Sequence, residues 1–81
     1  MSEDFKITVG PVDGGWSVRC DHNLEPVMFL SGGRAEQYAK ALAMRMSRAG
    51  RSAQVLVHDR TLALVGASRY QADLQDALAA A

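Results

Sequence analysis

The chain has 81 residues, nine Lys and Arg against nine Asp and Glu, and 48% apolar side chains. That length suits one domain, residues 1–81, and the composition excludes both a disordered tail and a polycation that coats nucleic acid. One cysteine excludes an internal disulfide, and no apolar run approaches the roughly 20 residues of a membrane helix. With no charged-then-apolar leader at its start, the chain is expected in a reducing, cytoplasmic setting.

Phe5-Lys6-Ile7-Thr8-Val9 alternates apolar and polar with period two, which predicts a half-buried strand ended by Gly10-Pro11. Asp13-Gly14-Gly15 supplies turn residues, and Trp16, Val18 and Cys20 then alternate as a second strand. Pro26 discourages helix at Glu25, and the apolar run Val27 to Leu30 predicts a third strand, completing an antiparallel meander. After Ser31 the period changes. Ala35, Tyr38, Ala39, Leu42, Met46 and Ala49 recur at helical spacing, with Ser31 placed to cap the start and Gly50 the end. Ala53, Val55 and Val57 restart period two, Leu62 and Leu64 resume it, and Asp59 sits at the tip of the implied hairpin, which Gly66-Ala67 ends. Ser68 and Gln71 have capping-box spacing ahead of Leu74 and Leu78, predicting a helical extension over 68–81.

The order predicts an α+β fold, two layers in the sequence β-β-β-α-β-β, with one amphipathic helix on an antiparallel sheet and a core within about residues 5–66. Phe5, Ile7, Trp16, Val18, Val55, Val57, Leu62 and Leu64 are expected to face the helix. Alternation sends Leu56, Val65, and either Met28 with Leu30 or Val27 with Phe29, to the opposite side, while Met44 points away from the helical stripe. Unless the C-terminal helix or a loop covers them, so many aliphatics outside the helix-covered face point to self-association, through Met28, Leu30, Met44, Leu56 and Val65 or through an edge strand, most simply as a homodimer.

Gly14-Gly15-Trp16-Ser17-Val18, the Ser31-capped Ala-rich helix, and Val55-Leu56-Val57-His58-Asp59-Arg60 together resemble a family of small bacterial domains of unknown function (the domain of unknown function 2188 type). The likeness covers roughly residues 6 to 66. It departs after Arg60, where Thr61-Leu62-Ala63 replaces the family's usual glycine-containing turn. The resemblance implies the α+β fold and carries no catalytic residue.

Candidate chemistry is sparse. Cys20, His22 and His58, with Asp21 or Asp59, are the residue types of a zinc site, but Cys20-Asp21-His22 is a single short motif with no second pair. Cys20 reads better as a small core residue. His58 and Asp59 are adjacent on a strand and so point to opposite faces, which is no arrangement for nucleophilic catalysis; Asp59 is expected to bond its local backbone. No cofactor motif is present, and no enzyme activity is expected. Ser31, Gly32, Gly33 and Arg34 open a helix and suit a phosphate, although their spacing matches neither nucleotide fingerprint and strand-to-helix turn chemistry also explains the glycines. Residues 34 to 69 hold seven basic side chains against Glu36 and Asp59, and Arg34, Arg45, Arg48 and Arg51 suggest a stripe for nucleic acid. The exposed aromatic platforms of single-strand binders are missing, since Trp16 and Tyr38 both fit the core. The reading is therefore a non-enzymatic interaction module that self-associates or takes a protein partner, ahead of a nucleic-acid-binding accessory and a phosphate-ligand binder.

Overall fold

The computed structural model describes residues 4–21 and 25–72. Six elements follow in order: β1 Phe5–Val12, β2 Gly15–Cys20, β3 Val27–Phe29, α1 Gly32–Arg48, β4 Ala53–His58 and β5 Leu64–Tyr70. The strands form a single sheet in the order β3-β2-β1-β4-β5, with α1 on one face, so the α+β, two-layer expectation holds.

The expectation of a wholly antiparallel sheet is corrected by one pairing. β1, β2 and β3 make the antiparallel meander, but β4 enters beside β1 and runs parallel to it, Ile7 opposite Val55 and Val9 opposite Val57. Direction follows from the crossover: β3 runs as β1 does, α1 carries the chain back, and β4 sets out again in the direction of β1. β4 and β5 then close as an antiparallel hairpin.

The helix begins and ends as its sequence predicts. The Ser31 hydroxyl accepts from the Arg34 amide at 3.2 Å, capping the first turn. At the other end Gly50 takes a left-handed φ of 88°, its amide donates to the Ser47 carbonyl at 3.0 Å, and the Arg51 amide donates to that of Met46 at 2.9 Å. Those paired bonds are a Schellman stop, and glycine supplies the backbone geometry without steric cost.

The buried face of α1 is narrower than the stripe in its sequence. Ala35, Ala39 and Ala43 are fully buried, Leu42 and Met46 pack at the margins, Tyr38 lies at the surface against Phe29 with ring centroids 5.3 Å apart, and Ala49 is exposed at the cap. Three alanines one turn apart let the helix backbone approach the sheet, where Ile7, Val9, Val18 and Val55 fill the space. At the helix start, a Cβ on Gly32 would come within 3.1–3.3 Å of the Trp16 indole, so the first turn rests directly on that ring.

Two arginines close the ends of this core. The Arg51 guanidinium lies over the Phe5 ring, 4.9 Å from its centroid, and the Arg60 guanidinium over Trp16 at 5.4 Å.

Leu62 and Leu64 do not join the core as expected: they are 70% and 57% exposed. The alternation of β4 is broken at His58, where the ladder shifts register, and a turn intervenes. Nor does the hairpin end at Gly66-Ala67. β5 continues to Tyr70, which pairs with Ala53 and packs on the core. Extending β5 satisfies the backbone of β4 to its first residue, and the chain beyond is tied to the helix end by Ser47 Oγ donating to the Gln71 carbonyl at 2.6 Å and Ser52 Oγ accepting from Ala72 at 2.9 Å. Ser68 is therefore a strand residue and starts no helix; the rest of the expected extension, 73–81, lies outside the described residues.

Substituting Ala39→Leu should lower unfolding free energy by about 1–3 kcal/mol by forcing α1 off the sheet; urea denaturation measures the loss, and an unchanged midpoint would refute close helix–sheet approach at this residue.

Candidate functional site

Five strands at about 4.8 Å spacing place the outer strand axes roughly 19 Å apart, whereas a helix with its side chains is only about 10–12 Å wide. One helix therefore covers the middle of one face, principally β1, β4 and β2, and among the described residues no element covers the other face. Alternation assigns the uncovered face. Met28 on β3 lies beside Ser17 on β2, which pairs with Gly10 on β1; Arg19 pairs with Thr8, Thr8 with Leu56, and Leu56 with Ala67; Lys6 pairs with Gln54, and Gln54 with Arg69. That face is polar along β1 and β2, with Met28 at one edge and Leu56 on the interior strand β4.

The expected self-association residues are consequently dispersed. Leu56 and Val65 belong to β4 and β5, Met28 and Leu30 to the opposite edge and its exit, and exposed Met44 to the helix. Structure settles the alternative left open for β3: Phe29 turns toward the helix and packs at the core, and Met28 faces away, 55% exposed.

One end of the uncovered face is clamped by Asp4. Its carboxylate receives the Arg69 guanidinium at 2.6 and 3.1 Å and the Gln54 amide at 3.1 Å, joining the start of β1 to β4 and β5. The Arg69 hydrogen bond, with Gln54 in support, holds the Asp4 pKa below the usual carboxylate value. Beside it, the Asp21 carboxylate accepts from the Lys6 amide at 3.0 Å.

The other end carries a hollow. Thr8, Gly10, Ser17, Arg19, His58 and Leu62 surround a cavity of about 370 Å³ open to solvent. The turn after β4 makes its rim. Asp59 accepts from the Thr61 amide at 2.8 Å, the Thr61 hydroxyl at 2.6 Å and the Ala63 amide at 3.1 Å, while its own amide donates to the Ala63 carbonyl. Those donors, the Thr61 hydroxyl foremost, lower its pKa. Asp59 thus bonds its local backbone as the sequence predicts, and the turn it organises puts Leu62 at a φ of 66°, a left-handed conformation that leucine adopts only against steric strain.

The remaining candidates separate. Cys20 is half-buried against the core on the helix side, His58 lies on the uncovered face, and His22 falls outside the described residues, so Cys20 and His58 do not converge. Asp59 is engaged in its turn and does not orient His58. At the helix start the Arg34 amide is taken by Ser31 and Gly32 is pressed against Trp16, while Gly33 is open. Arg34, Arg45 and Arg48 are exposed along α1, but Arg51 belongs to the core's end through Phe5 and not to that stripe. In the sequence Arg19, Thr8 and Ser17 are ordinary polar residues of alternating strands; only strand order brings them beside His58.

No helix among the described residues is long and apolar enough to cross a membrane. No family model, no curated protein and no solved structure matches the chain.

Because both Asp4 and Asp59 have folded pKa values below the ordinary 3.8, the stability they contribute is present above that value and is lost as pH falls through the lowered folded values. Asp59→Ala should melt below the wild type at pH 7, with the gap closing as the medium is acidified below the carboxylate range; a gap that persists unchanged in acid would show that the ionised carboxylate is not what holds the turn.

Proposed function

We propose that the protein is a non-enzymatic binding module that self-associates, a second copy docking on β5. The observation that supports this is the exposure of that strand. β5 is seven residues long, stands at the sheet edge among the described residues, and opens on Leu64 and Val65, 57% and 60% exposed, just after Leu62. A free edge presents unpaired N–H and C=O groups, and a long apolar one is a template for further pairing. A second β5 running antiparallel extends the sheet across a two-fold axis and withdraws Leu64 and Val65 of both copies from water. The opposite edge, β3, has three residues and offers far less backbone.

A second reading, a nucleic-acid-binding accessory, draws support from Arg34, Arg45 and Arg48, exposed on α1 and without ion pairs among the described residues. Phosphates would bind there in a strongly salt-dependent way.

Light scattering across concentration should show a mass rising from 8.7 kDa toward about twice that value, and Leu64→Lys with Val65→Lys should hold the chain monomeric while its circular dichroism is unchanged. A strict monomer at every concentration overturns the self-association reading. If fluorescence anisotropy instead records labelled DNA or RNA binding at low salt, lost in Arg45→Ala with Arg48→Ala, the second reading replaces it; absence of binding at low salt rejects that one.

A further inference from the structure

We propose that the hollow on the uncovered face binds a small organic anion, a carboxylate or phosphate monoester carrying an apolar body, with Arg19, Ser17, Thr8 and His58 at the anionic head and Leu62 over the body. This goes beyond self-association and does not rest on it.

Charge is the first argument. Arg19 makes no ion pair among the described residues, although carboxylates stand on the same face. Asp4 is paired with Arg69 and bonded by Gln54, while Asp21 accepts from the Lys6 amide and Asp59 from its own turn, and neither lies within ion-pair distance of Arg19. The guanidinium therefore stands without an ion-pair partner among the described residues at the rim of a concave surface, where a bidentate oxyanion matches its fork of donors.

Hydroxyl placement is the second. Ser17 is the buried polar residue of the described chain, 4% exposed, yet its hydroxyl makes no hydrogen bond there. No fully enclosed side-chain oxygen or nitrogen lacks a partner, so this hydroxyl opens into the cavity it lines. Thr8 adds a second hydroxyl. His58 adds a ring that can donate or accept.

The shape is the third. Gly10, on the strand between Ser17 and His58, has no side chain to fill the space, and a Cβ there would have His58 Cβ at 4.0 Å as its nearest neighbour. The missing side chain is what makes the hollow. A volume of about 370 Å³ lies within the range of small-ligand sites and admits one substituted aromatic ring. The rim is held by Asp59, whose bonds impose the strained φ of Leu62 and so keep an apolar side chain beside the polar group. Strain maintained at the mouth of a cavity marks a place where position matters more than local stability.

The test is a titration of the full chain, labelled with ¹⁵N, with phenyl phosphate, benzoate, inorganic phosphate and benzyl alcohol. Saturable shifts at Thr8, Gly10, Ser17, Arg19 and His58 with phenyl phosphate or benzoate, and none with the alcohol, support the site, and the tighter of the two identifies the head group. Arg19→Gln should weaken that binding by about tenfold or more. Leu62→Gly relieves the left-handed strain, so it folds, and it should weaken phenyl phosphate or benzoate while leaving inorganic phosphate unchanged. No saturable shift with either aromatic anion, shifts centred on Gly32 to Arg34, or undiminished binding by Arg19→Gln would overturn the proposal. Light scattering on Arg19→Gln should give the wild-type mass, so loss of the ligand and loss of self-association are read separately.

Discussion

One helix has to serve five strands. Its width covers the middle of the sheet and no more, and the positions of core, edges and open surface follow from that limit. The residues that are fully buried lie where the helix axis passes over β1, β2 and β4, and the contact is made close by Ala35, Ala39 and Ala43. A bulkier helix face would lift α1 and expose the valines beneath it. Small residues on the helix and β-branched ones on the sheet are thus two halves of one packing solution.

At the ends of the covered strip aromatic rings finish the core, and they are the two over which an arginine lies. Arg51 on Phe5 and Arg60 on Trp16 each place the guanidinium over a ring while the residue stays exposed to water. This gives part of the basic middle of the chain a structural use. Two of its seven cations shield rings and a third, Arg69, is clamped by Asp4, so Arg34, Lys40, Arg45 and Arg48 on the helix are what remains for an external partner. Segmental charge read from the chain overstates the free positive surface for this reason.

The uncovered face divides into a stapled end and a hollow end. Around Asp4 the strands are cross-linked by side chains reaching over β1, β4 and β5. Around Gly10 nothing fills the centre, and polar side chains stand about the gap with Leu62 at its rim. Face-to-face packing of two copies here would bury Arg19 without a counter-charge, so the polar centre favours an edge over a face for the proposed self-association. Leu56 and Val65 were legible as outward residues from alternation alone, but their neighbours were not, and a surface is defined by neighbours.

Local rules account for what the sequence shows by itself. The Ser31 cap, the Gly50 stop, the alternation of β1 and β2 and the Asp59 turn all depend on groups within about five residues of one another, and the amino-acid order alone determined them. What needed tertiary structure was every relation across the chain: the parallel entry of β4 beside β1, the run of β5 through Ser68 to Tyr70, and the meeting of Arg19 with His58. Ser68 shows the difference plainly. Its spacing to Gln71 is that of a helix cap, yet pairing with Val55 satisfies a whole strand of backbone groups and outweighs one local hydrogen bond. Length, the first fact of the sequence, limits these 81 residues to a small core; which of its faces that core leaves open among the described residues was decided by where one helix came to rest.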